Sequence, residues 1–316
     1  MSVENSMKEK ELKEKILKLK EEKGAVILAH YYQKEEIQDI ADYIGDSLAL
    51  AQYAATLKDV PIIVICGVYF MGETAKLLCP DKKVLVPDVS AGCSLADSCP
   101  AEKLKIFKEL HPDYTVVSYV NTTVEVKALT DILVTSGNAK KIIDTLPKEE
   151  KIIFGPDRNL GNYINSLTGR NMLLWDGYCH VHEKFSLEKI MELKNQYPNA
   201  AVLVHPECKK YLVEIADKVG STAVLLDYAE NSNIKIFIVA TESGILHQMQ
   251  KKCPEKTFIA VPPADSTCAC NECSFMKLNT LDKLYNCLRN ETPEVLIDEN
   301  IAEQARRPIE KMLKLS

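Results

Sequence analysis

Three cysteines, Cys93, Cys179 and Cys273, close three successive copies of one sequence pattern in this chain of 316 residues. A triplicated fold would deliver one thiolate per copy to a shared centre, which predicts a metal site with three protein ligands. In the third copy the cysteine lies in the run TCACNEC, so on spacing alone Cys268, Cys270 and Cys273 compete for the position. Soft thiolates select zinc, copper(I) or iron–sulfur clusters. Structural zinc closes its shell with four protein ligands, usually paired closely in sequence. Four-cysteine electron-transfer clusters commonly draw on one dense run. Ligands dispersed through the chain match neither pattern, and three of them would leave one metal position open for Lewis-acid chemistry on a hydroxyl or carboxylate.

Other reactive side chains recur at the same interval. VILAHYYQ (26–33), VVSYVNTT (116–123) and VLVHPECK (202–209) each run from an apolar strand into a polar residue, and His30, Tyr119 and His205 hold that junction. Tyr119 follows His30 by 89 residues and His205 follows Tyr119 by 86. Open α/β sheets bind ligands beyond the carboxyl ends of their strands, so the junction residues are expected to face a ligand. Seventeen residues after each junction comes a hydroxyl, Ser47, Ser136 and Thr222, in the contexts GDS, TSGN and GST that also hold Asp46 and Ser221. Each reads as helix N-cap chemistry, worth about 1 kcal/mol, with an anion at the N-terminal amides as the functional extension. Tyr31, Tyr32, Asn121 and Glu207 follow the strand ends closely. Tyr32 and Glu207 are the candidate acid/base groups if partly desolvated. His182 is placed near any metal held by Cys179, and Met71 lies in a further strand-end loop. His180 reads as a surface residue, and His111 and His247 as structural ones.

The elements needed to hold these residues are short and regular. The runs VILA, IIVI, KIIF and IFIV are β-branched and apolar, as strands covered on both faces are, and amphipathic stretches separate them. The expected fold is α/β: three homologous α/β domains with short parallel sheets, at 1–109, 110–197 and 198–316, the last with C-terminal helices. Units of about 90 residues are longer than solenoid repeats and fit small domains. A hydrophobic content of 46% supplies their cores, while a net charge of −6 without a basic stripe argues against nucleic acid as a partner. The N-terminal segment KEKELKEKILKLKEEK lacks the apolar centre of a signal peptide, and no run reaches membrane-spanning length, so a soluble cytoplasmic protein is expected. Eleven cysteines in a reducing compartment point to metal or catalysis before disulfides. Cys66, Cys79, Cys208, Cys253 and Cys287 are expected to be small buried hydrophobes.

Read in order, LAHYYQ, IADYIGDSL, CGVYFMGETAKLL, VPDVSAGCSL, SYVNTT, TSGNA, FGPDRNLG, GYCHVH, VLVHPEC, GST, ATESGILH and RRPIEKML closely resemble the quinolinate synthase family over nearly the whole chain. The resemblance implies a pseudo-threefold arrangement around a central cavity holding a 4Fe-4S cluster. It implies Cys93, Cys179 and Cys273 as ligands, the last placed by the following FMKLNTL, with Cys268 and Cys270 outside the ligand position. It further implies synthesis of quinolinate from iminoaspartate and dihydroxyacetone phosphate, with loss of phosphate and water. On that basis Tyr32, His205 and Glu207 are the expected proton-transfer groups. His30, Asp46, Ser47, Met71, Tyr119, Asn121, Ser136, His182, Ser221 and Thr222 are the expected substrate contacts. An aspartate oxidase or aspartate dehydrogenase would supply iminoaspartate, with transient handover conceivable. A different iron–sulfur hydro-lyase, a cluster carrier and a structural zinc protein are the rival readings.

Overall fold

The computed structural model describes residues 3–264 and 271–316. Twelve short strands form three four-stranded sheets, parallel throughout. The first holds β1 (Ala25–His30), β2 (Tyr43–Gly45), β3 (Ile62–Cys66) and β4 (Lys83–Leu85) in the order β2-β1-β3-β4. The second holds β5 (Thr115–Tyr119), β6 (Ile132–Val134), β7 (Ile152–Gly155) and β8 (Leu173–Leu174) in the order β6-β5-β7-β8. The third holds β9 (Ala201–Val204), β10 (Lys218–Val219), β11 (Ile236–Ala240) and β12 (Thr257–Ala260) in the order β10-β9-β11-β12. All three therefore share one winding, with the second strand on one side of the first and the third on the other. That reversal opens a crevice at the carboxyl ends of the first and third strands, the position where such sheets hold ligands.

The repeat is legible at the level of single hydrogen bonds. Asp42, Asp131 and Asp217 each precede the second strand of their sheet. Each carboxylate accepts the N–H of Ile27, Val116 or Val202 at 2.8 Å. Each aspartate N–H in turn donates to the carbonyl of that same residue at 2.9 Å. This pair of bonds fixes where the second strand starts against the first, and hence where the following hydroxyl-bearing loop ends.

Apolar strands covered by helices on both faces explain the unbroken burial of β3, β7 and β9. Cys66, Cys79, Cys208, Cys253 and Cys287 are buried and free. The chain beyond residue 280 leaves the third sheet. Leu281, Leu284, Cys287 and Leu288 of the helix Leu281–Asn290 join Ile16, Ile27 and Val64 in the core on one face of the first sheet. The helix Glu299–Leu315 buries Ala305, Ile309 and Met312 in the core shared by the first two sheets, and Arg306 Nε donates to the Leu77 carbonyl at 2.8 Å. Among the described residues no helix is long and apolar enough to cross a membrane.

Candidate active site

A cavity lies where the carboxyl ends of the three sheets converge. His30 closes β1, Tyr119 closes β5 and His205 follows β9, and all three line it. Tyr32, Asp46, Ser47, Asn121, Ser136, His182, Glu207, Thr222, Cys93, Cys179 and Cys273 line it as well. Met71 and Ser221 are not in the lining. Met71 is buried beside a smaller void shared with Leu50, Thr74 and Val120.

Ser221 serves the backbone, its Oγ accepting the Val224 N–H at 3.4 Å as the cap of the helix Thr222–Asn231. Asp46 does the same for the helix Ser47–Thr56, accepting from Ala49 N at 3.0 Å. The caps thus fall one residue earlier than the sequence suggested, because the preceding side chain already satisfies the first-turn donor. Ser47 and Thr222 are left to line the cavity. In the second sheet Asn138 turns its Oδ1 back onto Thr135 N at 2.6 Å, and its helix carries no side-chain cap.

The polar wall is one connected chain. Tyr32 Oη lies 2.9 Å from Thr222 Oγ1 and 2.8 Å from Thr241 Oγ1. Thr241 Oγ1 is 2.9 Å from His182 Nε2, and His182 Nδ1 is 3.0 Å from Glu207 Oε2. The latter pair is close enough for charge attraction, though it lies off the line of a straight N–H bond. Tyr119 Oη donates to Glu207 Oε1 at 2.5 Å, and the rings of His182 and His205 stack at 4.5 Å. The chain therefore links residues borne by all three sheets.

Burial sets the protonation of this wall. It drives His30 and His205 down to about 3, so both are neutral near pH 7. His30 Nδ1 accepts the Tyr32 N–H at 3.1 Å and His205 Nδ1 accepts the Glu207 N–H at 3.3 Å. A neutral ring that accepts at Nδ1 carries its proton on Nε2, which assigns both rings as cavity-facing donors. Burial alone would raise the Glu207 carboxyl, but His182, His205 and the Tyr119 hydroxyl outweigh it and hold the group at about 2. Burial pushes Tyr32 and Tyr119 well above the ordinary phenol range, leaving both as protonated donors. His30 and His205 are depressed from 6.5 in the folded state, so the unfolded chain binds more protons between about 3 and 6.5 and stability falls as pH drops through that window. Urea denaturation of the metal-free protein from pH 7 to 4 should show this loss, and His30→Asn or His205→Asn should flatten it.

The cysteines approach from three loops. Cys93 precedes the short helix Ser94–Asp97, and the nearby Tyr69 N–H donates to the Ala91 carbonyl at 2.6 Å. Cys179 N donates to Asp157 Oδ2 at 3.2 Å, and Cys273 N to Glu242 Oε1 at 3.1 Å. Burial raises the thiols, Cys93 to about 12, Cys273 to about 11 and Cys179 well above its ordinary value, so each would become a thiolate only against a cationic partner.

The family model described as quinolinate synthetase A protein matches residues 14–314. A quinolinate synthase of Synechococcus sp. is 56% identical over 301 residues, covering 95% of this chain and 94% of that one. One from Chloroherpeton thalassium is 54% identical over 306 residues, covering 97% and 95%, and one from Thermosynechococcus vestitus is 55% identical over 298, covering 94% and 93%. The chain belongs to the quinolinate synthase family. It is accordingly an enzyme of quinolinate synthesis, and the rival carrier and structural-zinc readings fall away.

The donor set at this quinolinate synthase site suits a metal group larger than one ion. Cys93, Cys179 and Cys273 line one cavity, yet their three sulfurs do not all lie within 4.8 Å of one another. A single zinc with bonds of about 2.3 Å would require that closeness. Among the described residues the set that does gather so closely is Cys179, His182 and Glu207, whose histidine is already engaged by Thr241 and Glu207. Cys268 and Cys270 lie outside the described residues.

Thr241, Asp157 and Glu242 are site residues that the sequence reading did not single out. The signal was present: Asp157 and Glu242 each stand two residues beyond the third strand of their sheet. Burial acts to raise both carboxyls, Asp157 strongly, and the N–H donors on their oxygens act against it. Gly244, beside Glu242, admits no side chain: a Cβ there would lie 2.8 Å from the Tyr32 Cα and 2.9 Å from the Tyr31 carbonyl oxygen. Gly244→Ala must therefore push the third sheet's loop off the Tyr32 loop. A loss of about 1–3 kcal/mol in urea denaturation is expected.

Proposed function

We propose that this cavity condenses iminoaspartate with dihydroxyacetone phosphate to quinolinate, releasing phosphate and water, and that Cys93, Cys179 and Cys273 hold a 4Fe-4S cluster within it. The observation that carries the reading is the convergence of one half-buried cysteine from each sheet region on a cavity walled by the Tyr32 to Tyr119 hydrogen-bond chain. With three protein ligands, such a cluster supplies an open iron as Lewis acid for a substrate carboxylate or a departing hydroxyl. Each sheet with its helices is taken as one repeat, at 1–109, 110–197 and 198–316.

Both substrates are anions, and the chain meets them with neutral donors. The Nε2–H groups of His30 and His205, the hydroxyls of Ser47 and Ser136, and the helix N-termini beside Asp46 and Thr222 grip carboxylate and phosphate oxygens. Asn121 Oδ1 is buried with no partner among the described residues, so it is free to accept a substrate N–H or O–H. Isomerisation and water loss each require a proton to leave carbon and reach oxygen. Tyr32, tied to Thr222 and Thr241, gives and regains that proton, while His205 polarises a carbonyl as a neutral donor. Glu207 stays ionised and holds His182 and Tyr119 in register for the transfer. Iminoaspartate is unstable in water, which favours a cytoplasmic setting with transient handover from an aspartate oxidase or aspartate dehydrogenase.

The test is an anaerobic incubation of reconstituted protein with freshly generated iminoaspartate and dihydroxyacetone phosphate, read by mass for quinolinate. Product that disappears in Cys179→Ser supports the reading. An iron-loaded protein that makes none would favour a different iron–sulfur hydro-lyase.

A further inference from the structure

Two buried carboxylates stand at equivalent places in the second and third repeats and perform the same task. Asp157 lies two residues beyond β7 and Glu242 two residues beyond β11, and neither is exposed to solvent. Asp157 Oδ2 accepts the N–H of Cys179, while its Oδ1 accepts the N–H of Leu160 at 2.7 Å and caps the helix Arg158–Thr168. Glu242 Oε1 accepts the N–H of Cys273 and sits 2.9 Å from Lys277 Nζ, while its Oε2 accepts the N–H of Gly244 at 2.7 Å. Each side chain thus uses one oxygen to hold its own loop and the other to hold the ligand cysteine. The corresponding residue of the first repeat, two beyond β3, is Val68, which has no acceptor to offer. There the Cys93 loop is tied through Tyr69 N to the Ala91 carbonyl and through Ser94 Oγ, 2.7 Å from His180 Nδ1, with no carboxylate on the Cys93 N–H among the described residues.

Removing a carboxylate from water is costly unless specific donors replace the water. Doing so twice, at matched positions and toward the same atom of a cysteine, is hard to explain by capping, since Glu242 caps no helix. We propose that Asp157 and Glu242 are positioning residues for the cluster ligands. They fix the Cys179 and Cys273 backbones so that the sulfurs face the cavity, and they keep those N–H groups engaged. Cys93 is the ligand without such a carboxylate anchor among the described residues. This inference rests on the proposed 4Fe-4S reading and deepens it.

Asp157→Asn and Glu242→Gln separate anchoring from folding. An amide oxygen can still satisfy Leu160 N or Gly244 N, but the amide NH₂ then faces the cysteine N–H, donor against donor. In anaerobically reconstituted protein, iron release to excess chelator should be about 10–100-fold faster in each variant than in the parent. The metal-free melting temperature should stay within a few degrees of the parent's. The reduction midpoint should move positive, because a freed N–H can reach a cluster sulfur. Release at the parent rate overturns the inference while leaving the cluster reading intact. So does faster release that only tracks an equal loss of metal-free stability. A parent protein that takes up no iron overturns the cluster reading, and this inference with it.

Discussion

Tyr32→Phe should lower kcat by about 10²–10⁴-fold while leaving iron content and melting temperature at parent values. The substitution removes one oxygen from a ring that otherwise keeps its place, edge-on to His30 with centroids 4.5 Å apart. What is lost is the hydroxyl that joins Thr222 to Thr241 in the hydrogen-bond chain, and with it the phenol donor of the first sheet. A group that acts on the reacting atoms changes kcat more than KM. Steady-state kinetics beside iron analysis therefore distinguishes a proton-transfer role from a packing role. Unchanged kcat, or a variant that no longer holds iron, would count against the assignment.

Glu207→Gln should be comparably damaging, with kcat down by at least about 10²-fold. The carboxylate meets Tyr119, His182 and His205 at 2.5, 3.0 and 3.9 Å respectively. A glutamine keeps the shape but can accept with only one atom, so either the tyrosine or the histidine loses its partner. Because the carboxyl is held at about 2, down from 4.5, its stabilising contribution is complete above about pH 4.5 and fades as pH falls through 2. The acid limb of activity above pH 4.5 should consequently not belong to Glu207, and Glu207→Asp should recover part of the rate with an unchanged limb. A pH–rate profile of parent, Gln and Asp forms checks both statements.

Much of this site was legible because the repeat copies whole local structures. His30, Tyr119 and His205 stand at matched strand ends, and the 89- and 86-residue offsets that reveal them also separate Asp42, Asp131 and Asp217, whose identical bonds the sequence pattern did not disclose. Helix caps were placed one residue late, since Asp46 and Ser221 outrank their neighbours as first-turn acceptors. Thr241 was invisible for a different reason: a threonine at a strand end has no distinguishing type, and only the meeting of Tyr32 with His182 gives its hydroxyl a role. C-terminal helices were expected after the last strand, but nothing in their sequence names the surface they pack on. Their return from the third sheet to the first two could be seen only in three dimensions.

The central claim is that one cysteine from each repeat, and no other, holds the metal group. Iron and sulfide per chain, with the visible absorption spectrum, should be measured in anaerobically reconstituted parent protein, in Cys93→Ser, Cys179→Ser and Cys273→Ser, and in a Cys268→Ser/Cys270→Ser double variant. The account predicts about four irons and a brown protein for the parent and the double variant, and loss of both from each single variant. Full iron in any of those single variants, or its loss from the double variant, would contradict it.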